Sequence, residues 1–104
     1  MNDHPENAPV LLSSIVQATS DQMSCDLSGE AAILDFKQGV YYGLDPVGAA
    51  IWNLLAQPCK VAEIKRALLE DYEVTPRRCE TDLIALLGDL AARGLIQVTN
   101  APDR

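Results

Sequence analysis

The sequence predicts an α+β fold, with a small antiparallel β-sheet in the first half of the chain and three helices in the second. Three observations carry this. Extended-type residues and turn signals fill Leu11 to Leu44, the hydrophobic period changes from two to about 3.6 at Asp45-Pro46, and Xaa-Pro pairs mark two helix starts. Strands and helices that are segregated along a chain pack as a sheet against a bundle, not as alternating βαβ units.

The elements follow in order. Residues 1–10 are polar with two prolines and read as a disordered tail, residues 11–98 as the folded domain, and residues 99–104 as a second disordered tail. Ile15 to Thr19 reads as a first strand. Met23 to Leu27 alternates apolar and polar residues, Ser28-Gly29-Glu30 supplies a turn, and Ala31 to Phe36 returns. Lys37-Gln38-Gly39 is a tight connection in which glycine can take positive φ. Val40 to Leu44 is then a β-branched and aromatic strand. Two hairpins in series make a three-stranded antiparallel meander.

Asp45 is a suitable N-cap, and Pro46 occupies the first helical position, where its missing N–H costs nothing. Val47, Ala50, Ile51, Leu54 and Leu55 share one face of that helix, which Gln57-Pro58 ends. A second helix covers Val61 to Tyr72. Thr75-Pro76 opens a third with Cys79, Leu83, Leu86, Leu87 and Leu90 as its core stripe, closed by Arg93-Gly94. Leu95 to Val98 can return as a short strand. Trp52 and Cys79 read as core residues. Three short helices with an attached sheet form a winged-helix-like architecture.

Composition narrows the function. The chain has 104 residues, 48% of them apolar and 22% charged, which suits one soluble domain with little room for a catalytic cleft. No segment has the roughly 18 apolar residues of a membrane span, and no secretory signal opens the chain, so the cytoplasm is the expected compartment. Net charge is −7. Nucleic-acid binding needs a basic footprint, and here the basic residues sit among carboxylates, so no nucleic-acid partner is expected. Three separated cysteines and a single histidine in the polar tail make no metal site. Paired Ser and His, and a Gly-rich phosphate loop, are both missing. Neither catalysis nor a cofactor is expected.

A binding surface is the remaining source of function. Val40, Tyr41, Tyr42, Gly43 and Leu44 form the last strand before the helices, and at a sheet edge such a strand can accept an extended peptide as one more strand. Gly43 would let the other backbone approach closely. The plainer alternative is an ordinary strand with Tyr41 and Tyr42 split between core and solvent. On the third helix Arg78, Asp82, Ala85 and Asp89 recur at spacings of four, three and four beside Leu86. That face can form the opposite wall of a groove, or simply be a solvated face with an Arg78–Asp82 pair.

The run GVYYGLDPVGAAIWNLL (Gly39 to Leu55), then VAEIKRALLEDYEV, then RRCETDLIALLGDLAARGLI resembles the PqqD-like family of precursor-recognition elements for ribosomally made, post-translationally modified peptides. The wording is closest to stand-alone recognition proteins of lasso-peptide clusters. Asp45 stands where many members have asparagine; both can cap a helix. The resemblance implies a three-stranded sheet on three helices, and capture of a precursor's leader segment as an antiparallel strand on Val40–Leu44. The groove would be closed by the helix face of Arg78, Asp82, Ala85, Leu86 and Asp89. It also implies delivery of that peptide to a leader peptidase or maturase. Two rivals remain: a winged-helix DNA-binding regulator, and an enzyme-docking subunit that touches no peptide. Homodimerisation through the same exposed edge also stays open.

Overall fold

The computed structural model describes residues 9–19, 22–27, 30–35 and 38–100. In chain order they form β1 (Ile15–Ala18), β2 (Gln22–Leu27), β3 (Glu30–Asp35), β4 (Val40–Leu44), α1 (Pro46–Leu54), β5 (Cys59–Lys60), α2 (Val61–Asp71), α3 (Pro76–Ala92) and β6 (Ile96–Thr99). The α+β class and the three helices match the reading above. Both expected tails fall mainly on residues 1–8 and 101–104, outside the described residues, as do the turn residues Ser28-Gly29 and Phe36-Lys37.

The expected meander is the sheet β2-β3-β4, antiparallel throughout. Gly39 has φ +70, and its N–H donates to Asp35 O at 2.9 Å, closing the turn into β4. Period two then sorts the side chains of β4. Tyr42 stands opposite Ile33, which is fully buried, and Leu44 lies two residues on and is also buried, so both face the helices. Tyr41 and Gly43 take the other face, and Tyr41 is 70% exposed.

A second sheet, β5-β1-β6, did not emerge from the sequence as a unit. β1 pairs antiparallel with β6 from Ile15↔Thr99 to Ala18↔Ile96, and on its other side with Cys59–Lys60. Among the described residues, the first strand therefore clamps the last. Beside it, Ser14 is fully buried; its Oγ accepts from Leu11 N–H at 2.9 Å and donates to Asn100 Oδ1, while Asn100 Nδ2 donates to Pro9 O at 3.1 Å. Ordered structure thus runs past Val98 through Thr99 and Asn100.

Two of the three helices, α1 and α3, open on a side-chain cap written in the sequence. In α1 the Asp45 carboxylate accepts from Gly48 N–H at 2.7 Å, and Pro46 occupies the first turn. Gly48 makes room for this: a Cβ there would lie 3.2 Å from Asp45 Oδ1 and 3.3 Å from a Leu44 methyl. Asp45→Ala should cost about 1 kcal/mol of stability, read as a lower urea midpoint with an unchanged slope. The helix ends at Leu54, before the expected Gln57-Pro58, because the Leu55 N–H bonds Trp52 O in a tightened last turn.

The N-cap of α2, Lys60, makes no side-chain cap bond. Instead Val61 N–H donates to Ser14 O and Ala62 N–H to Leu12 O, both at 3.0 Å, so the N-terminal arm satisfies orphan donors of this helix. Thr75 caps α3 through Arg78 N–H at 3.2 Å. At the other end Gly94 takes φ +75, its N–H bonds Ala91 O, and Leu95 N–H bonds Leu90 O. These two bonds are a Schellman motif, completed by the buried apolar residues Leu90 and Leu95.

The core lies between the sheets and the helices. Val16, Ile33, Leu55, Val61, Leu87 and Leu90 are all fully buried within it. Trp52 and Cys79 join it, as expected. A half-buried Lys65–Glu80 ion pair of 3.0 Å ties α2 to α3.

Candidate binding groove

β4 lies at the end of its sheet, with β3 on one side only. An edge strand spends alternate main-chain groups on its neighbour and turns the others outward, where another strand can pair with them. Beside this edge runs a groove of about 870 Å3. Tyr42, Gly43 and Leu44 line it from β4, and Arg78, Cys79, Asp82, Leu83 and Leu86 from α3. The start of α1 contributes Asp45, Val47, Gly48 and Ile51; the end of α2 and the following turn contribute Leu68 and Tyr72 to Thr75.

Of the residues singled out in the sequence, the groove brings together Tyr42, Gly43, Leu44, Arg78, Asp82 and Leu86. Val40 is placed at the start of the strand. Tyr41, Ala85 and Asp89 do not line the groove, and Asp89 is engaged by Tyr42 and Arg93 instead. The lining from α1 and the α2–α3 turn was not singled out as site. Val47 and Ile51 share one apolar face of α1, and helical spacing alone cannot tell a core face from a groove wall: Ile51 is buried in the core cluster and also borders the groove, whereas Val47 is 38% exposed. One signal was available: Val74 is an apolar residue in a polar turn, and it is 41% exposed on the rim.

The floor is apolar, and the rim is net acidic. Asp45, Glu73 and Asp82 face a single cation, Arg78, which already bonds Asp82 at 3.1 Å within one exposed face of α3. Such a pair contributes little to stability. Cys79 is buried in the wall. Burial pushes its thiol pKa up, the Lys65 ammonium opposes this, and the Asp82 carboxylate adds to it, so the group stays a neutral thiol rather than a nucleophilic thiolate.

One end of the groove is bridged. Tyr42 Oη donates to Asp89 Oδ2 at 2.7 Å, Arg93 Nε donates to Asp89 Oδ1 at 3.4 Å, and the Arg93 guanidinium lies 4.9 Å from the centroid of the Tyr42 ring. The Tyr42 hydroxyl is held above its ordinary value of 10.0, first by burial, then by the hydrogen bond and negative charge of Asp89, with Arg93 opposing. The sign is that of an acid favoured in its protonated form: the contribution is complete below the ordinary value and is lost as pH rises through the raised one.

Among the described residues no three His, Cys, Asp or Glu side chains converge as metal ligands would, and no helix is long and apolar enough to cross a membrane.

Comparison with known proteins agrees with this architecture. The sequence model of the family described as Coenzyme PQQ synthesis protein D (PqqD) matches residues 30–96, more than half of the chain. No curated protein sequence matches. Among solved structures, TbiB1 in complex with the TbiA(beta) leader peptide is 31% identical, with a TM-score of 0.71 over 84% of this chain and 99% of that one. A lasso peptide synthetase B1 complexed with its leader peptide shares the fold at 23% identity and a TM-score of 0.70, over 78% and 95% of the two chains. The PqqD truncation of Methylobacterium extorquens PqqCD, a stand-alone recognition element, shares it at 18% and 0.75, over 90% and 99%.

Proposed function

The chain belongs to the PqqD family, and from that premise we propose that it is a non-catalytic recognition domain. It captures the leader segment of a ribosomally made precursor peptide as an added strand on β4. The observation that carries this reading is an edge strand flanking an apolar groove of about 870 Å3, in a chain 31% identical to TbiB1, whose structure holds a leader peptide.

In this reading main-chain bonds to the outward groups of β4 supply affinity that is indifferent to sequence. The side chains on one face of the leader enter the groove and supply selectivity. Leu44, Leu83 and Leu86 offer them an apolar bed, while Asp45, Glu73 and Asp82 favour a neutral or basic segment over an acidic one. Tyr41, 70% exposed on the opposite face, stays free of the groove. The domain acts in the cytoplasm, where the precursor is made, and hands the bound leader to a peptidase or maturase that does the chemistry. A DNA-binding use of α3 has little support: its Arg78 is paired with Asp82, and the chain's net charge is −7.

The test is a titration of isotope-labelled protein with synthetic leaders from short reading frames beside its gene, and with the TbiA(beta) leader. Saturable amide shifts along Val40–Leu44 and on α3 from Arg78 to Leu86 are expected. Shifts confined to other surfaces, or none with any leader, would refute peptide capture at β4.

A further inference from the structure

A strand donated by another molecule has no connecting turn to set its register, as a hairpin has. A slip of one residue would turn the wrong side chains toward the groove. A slip of two keeps the pattern and moves the peptide about 7 Å along β4. Strand pairing alone does not forbid that second slip, so single-register binding depends on the groove itself, through the match of side chains to its floor and through any physical stop at its end.

The bridge at Tyr42 has the placement of such a stop. It joins β4 to the last turns of α3 across the cleft, and the groove lining ends at its level: Tyr42 and Leu86 belong to the lining, Asp89 and Arg93 do not. At the other end the Arg78–Asp82 pair stays within α3 and spans nothing. Arg78 to Leu86 is eight residues of helix, about 12 Å at 1.5 Å per residue. An extended peptide covers that with about four residues at 3.3 Å each. In so short a groove, a slip of two residues toward the bridge would drive a side chain into it.

We propose that the Tyr42–Asp89–Arg93 clasp is a register stop that closes one end of the groove and selects which leader residues pair with β4. The inference rests on the reading of β4 as the strand-addition edge. The clasp is poorly suited to a mainly structural role: the side chains of Asp89 and Arg93 are 47% and 53% exposed, and exposed pairs hold little folding energy. What it does fix is the separation of β4 and α3 at one point, with a charge-assisted bond stronger than a neutral one. Tyr42 is a positioning residue here, acting through the shape of the groove end.

The test uses the full chain, the leader that binds wild type in the titration above, and the conservative variant Tyr42→Phe, with Asp89→Asn as a second. A nitroxide on the leader's first residue reports register through broadening of β4 and α3 amides, a readout that a purely stabilising role would not move. Wild type should give one broadening pattern. Tyr42→Phe should melt close to wild type, bind three- to tenfold more weakly, and show a second pattern displaced by two residues; Asp89→Asn should do the same. A single unshifted pattern in a folded Tyr42→Phe protein would overturn the register stop and leave leader capture intact. If wild type binds none of the leaders, strand capture itself falls, and the register stop with it.

Discussion

Leu87→Ala should remove about 3 to 5 kcal/mol of folding free energy, among the largest stability effects expected of a side-chain truncation in α3. Leu87 is fully buried within the core cluster, in a helix whose neighbouring core residues Leu83 and Leu90 are equally enclosed. Truncating it loses the transfer free energy of the side chain and leaves a cavity that close-packed surroundings only partly fill. A domain of this size has about 5 to 15 kcal/mol in total, so the variant should show a sharply lower urea midpoint and a melting temperature lower by well over ten degrees. Leu86, one residue earlier, is only half-buried and lines the groove. Leu86→Ala should therefore cost clearly less stability and instead weaken leader binding. Equal losses of stability in the two variants would place Leu86 in the core rather than in the groove.

That adjacent pair also shows what the sequence could and could not disclose. Leu83, Leu86, Leu87 and Leu90 form one apolar stripe by helical spacing, and spacing does not distinguish a leucine under the sheet from one beside an open cleft. Local devices were legible because each is complete within a few residues: Asp45-Pro46, Thr75-Pro76 and Gly39 all act as their chemistry predicts. The second sheet was not. Cys59–Lys60 is too short to show a period, and the pairing of Ile15 with Thr99 joins residues at opposite ends of the chain without a turn to announce it.

The same distinction applies to the site. β4 as an edge strand was readable from its position before the helices, and the Arg78, Asp82 and Leu86 side of the groove from helical spacing. The role of Asp89 was not, because its partners are Tyr42, 47 residues away, and Arg93. The sequence places Asp89 on the right helix face, but only the folded chain shows that its carboxylate already has two donors. Nor could alternation alone say which of two adjacent tyrosines faces α3. Pairing of Tyr42 with the buried Ile33 decides that.

The strongest functional effect should come from changing the leader's backbone rather than any side chain. If the leader adds to β4 as an antiparallel strand, its amide groups alternate between pairing with the edge and pointing away. Replacing one paired amide N–H by N–CH3 deletes a donor, leaves the β4 carbonyl opposite it unsatisfied, and puts a methyl group where the two backbones meet. The lost bond and the stranded acceptor together cost about 2 kcal/mol or more, a weakening of at least about thirtyfold. The same change at the next residue, whose amide points away, should cost only a few-fold. A scan of singly N-methylated leaders read by fluorescence anisotropy should therefore give a period-two affinity profile over about four residues, the length that the groove spans. Side-chain docking without strand addition predicts losses that follow the identity of the anchor residues and show no such period. A helical leader lying in the groove would lose affinity most at amides inside its own hydrogen-bonded turns, in a contiguous block rather than at alternate positions. The spacing of the losses thus discriminates between three geometries that one affinity cannot tell apart, and it does so without altering a residue of the protein.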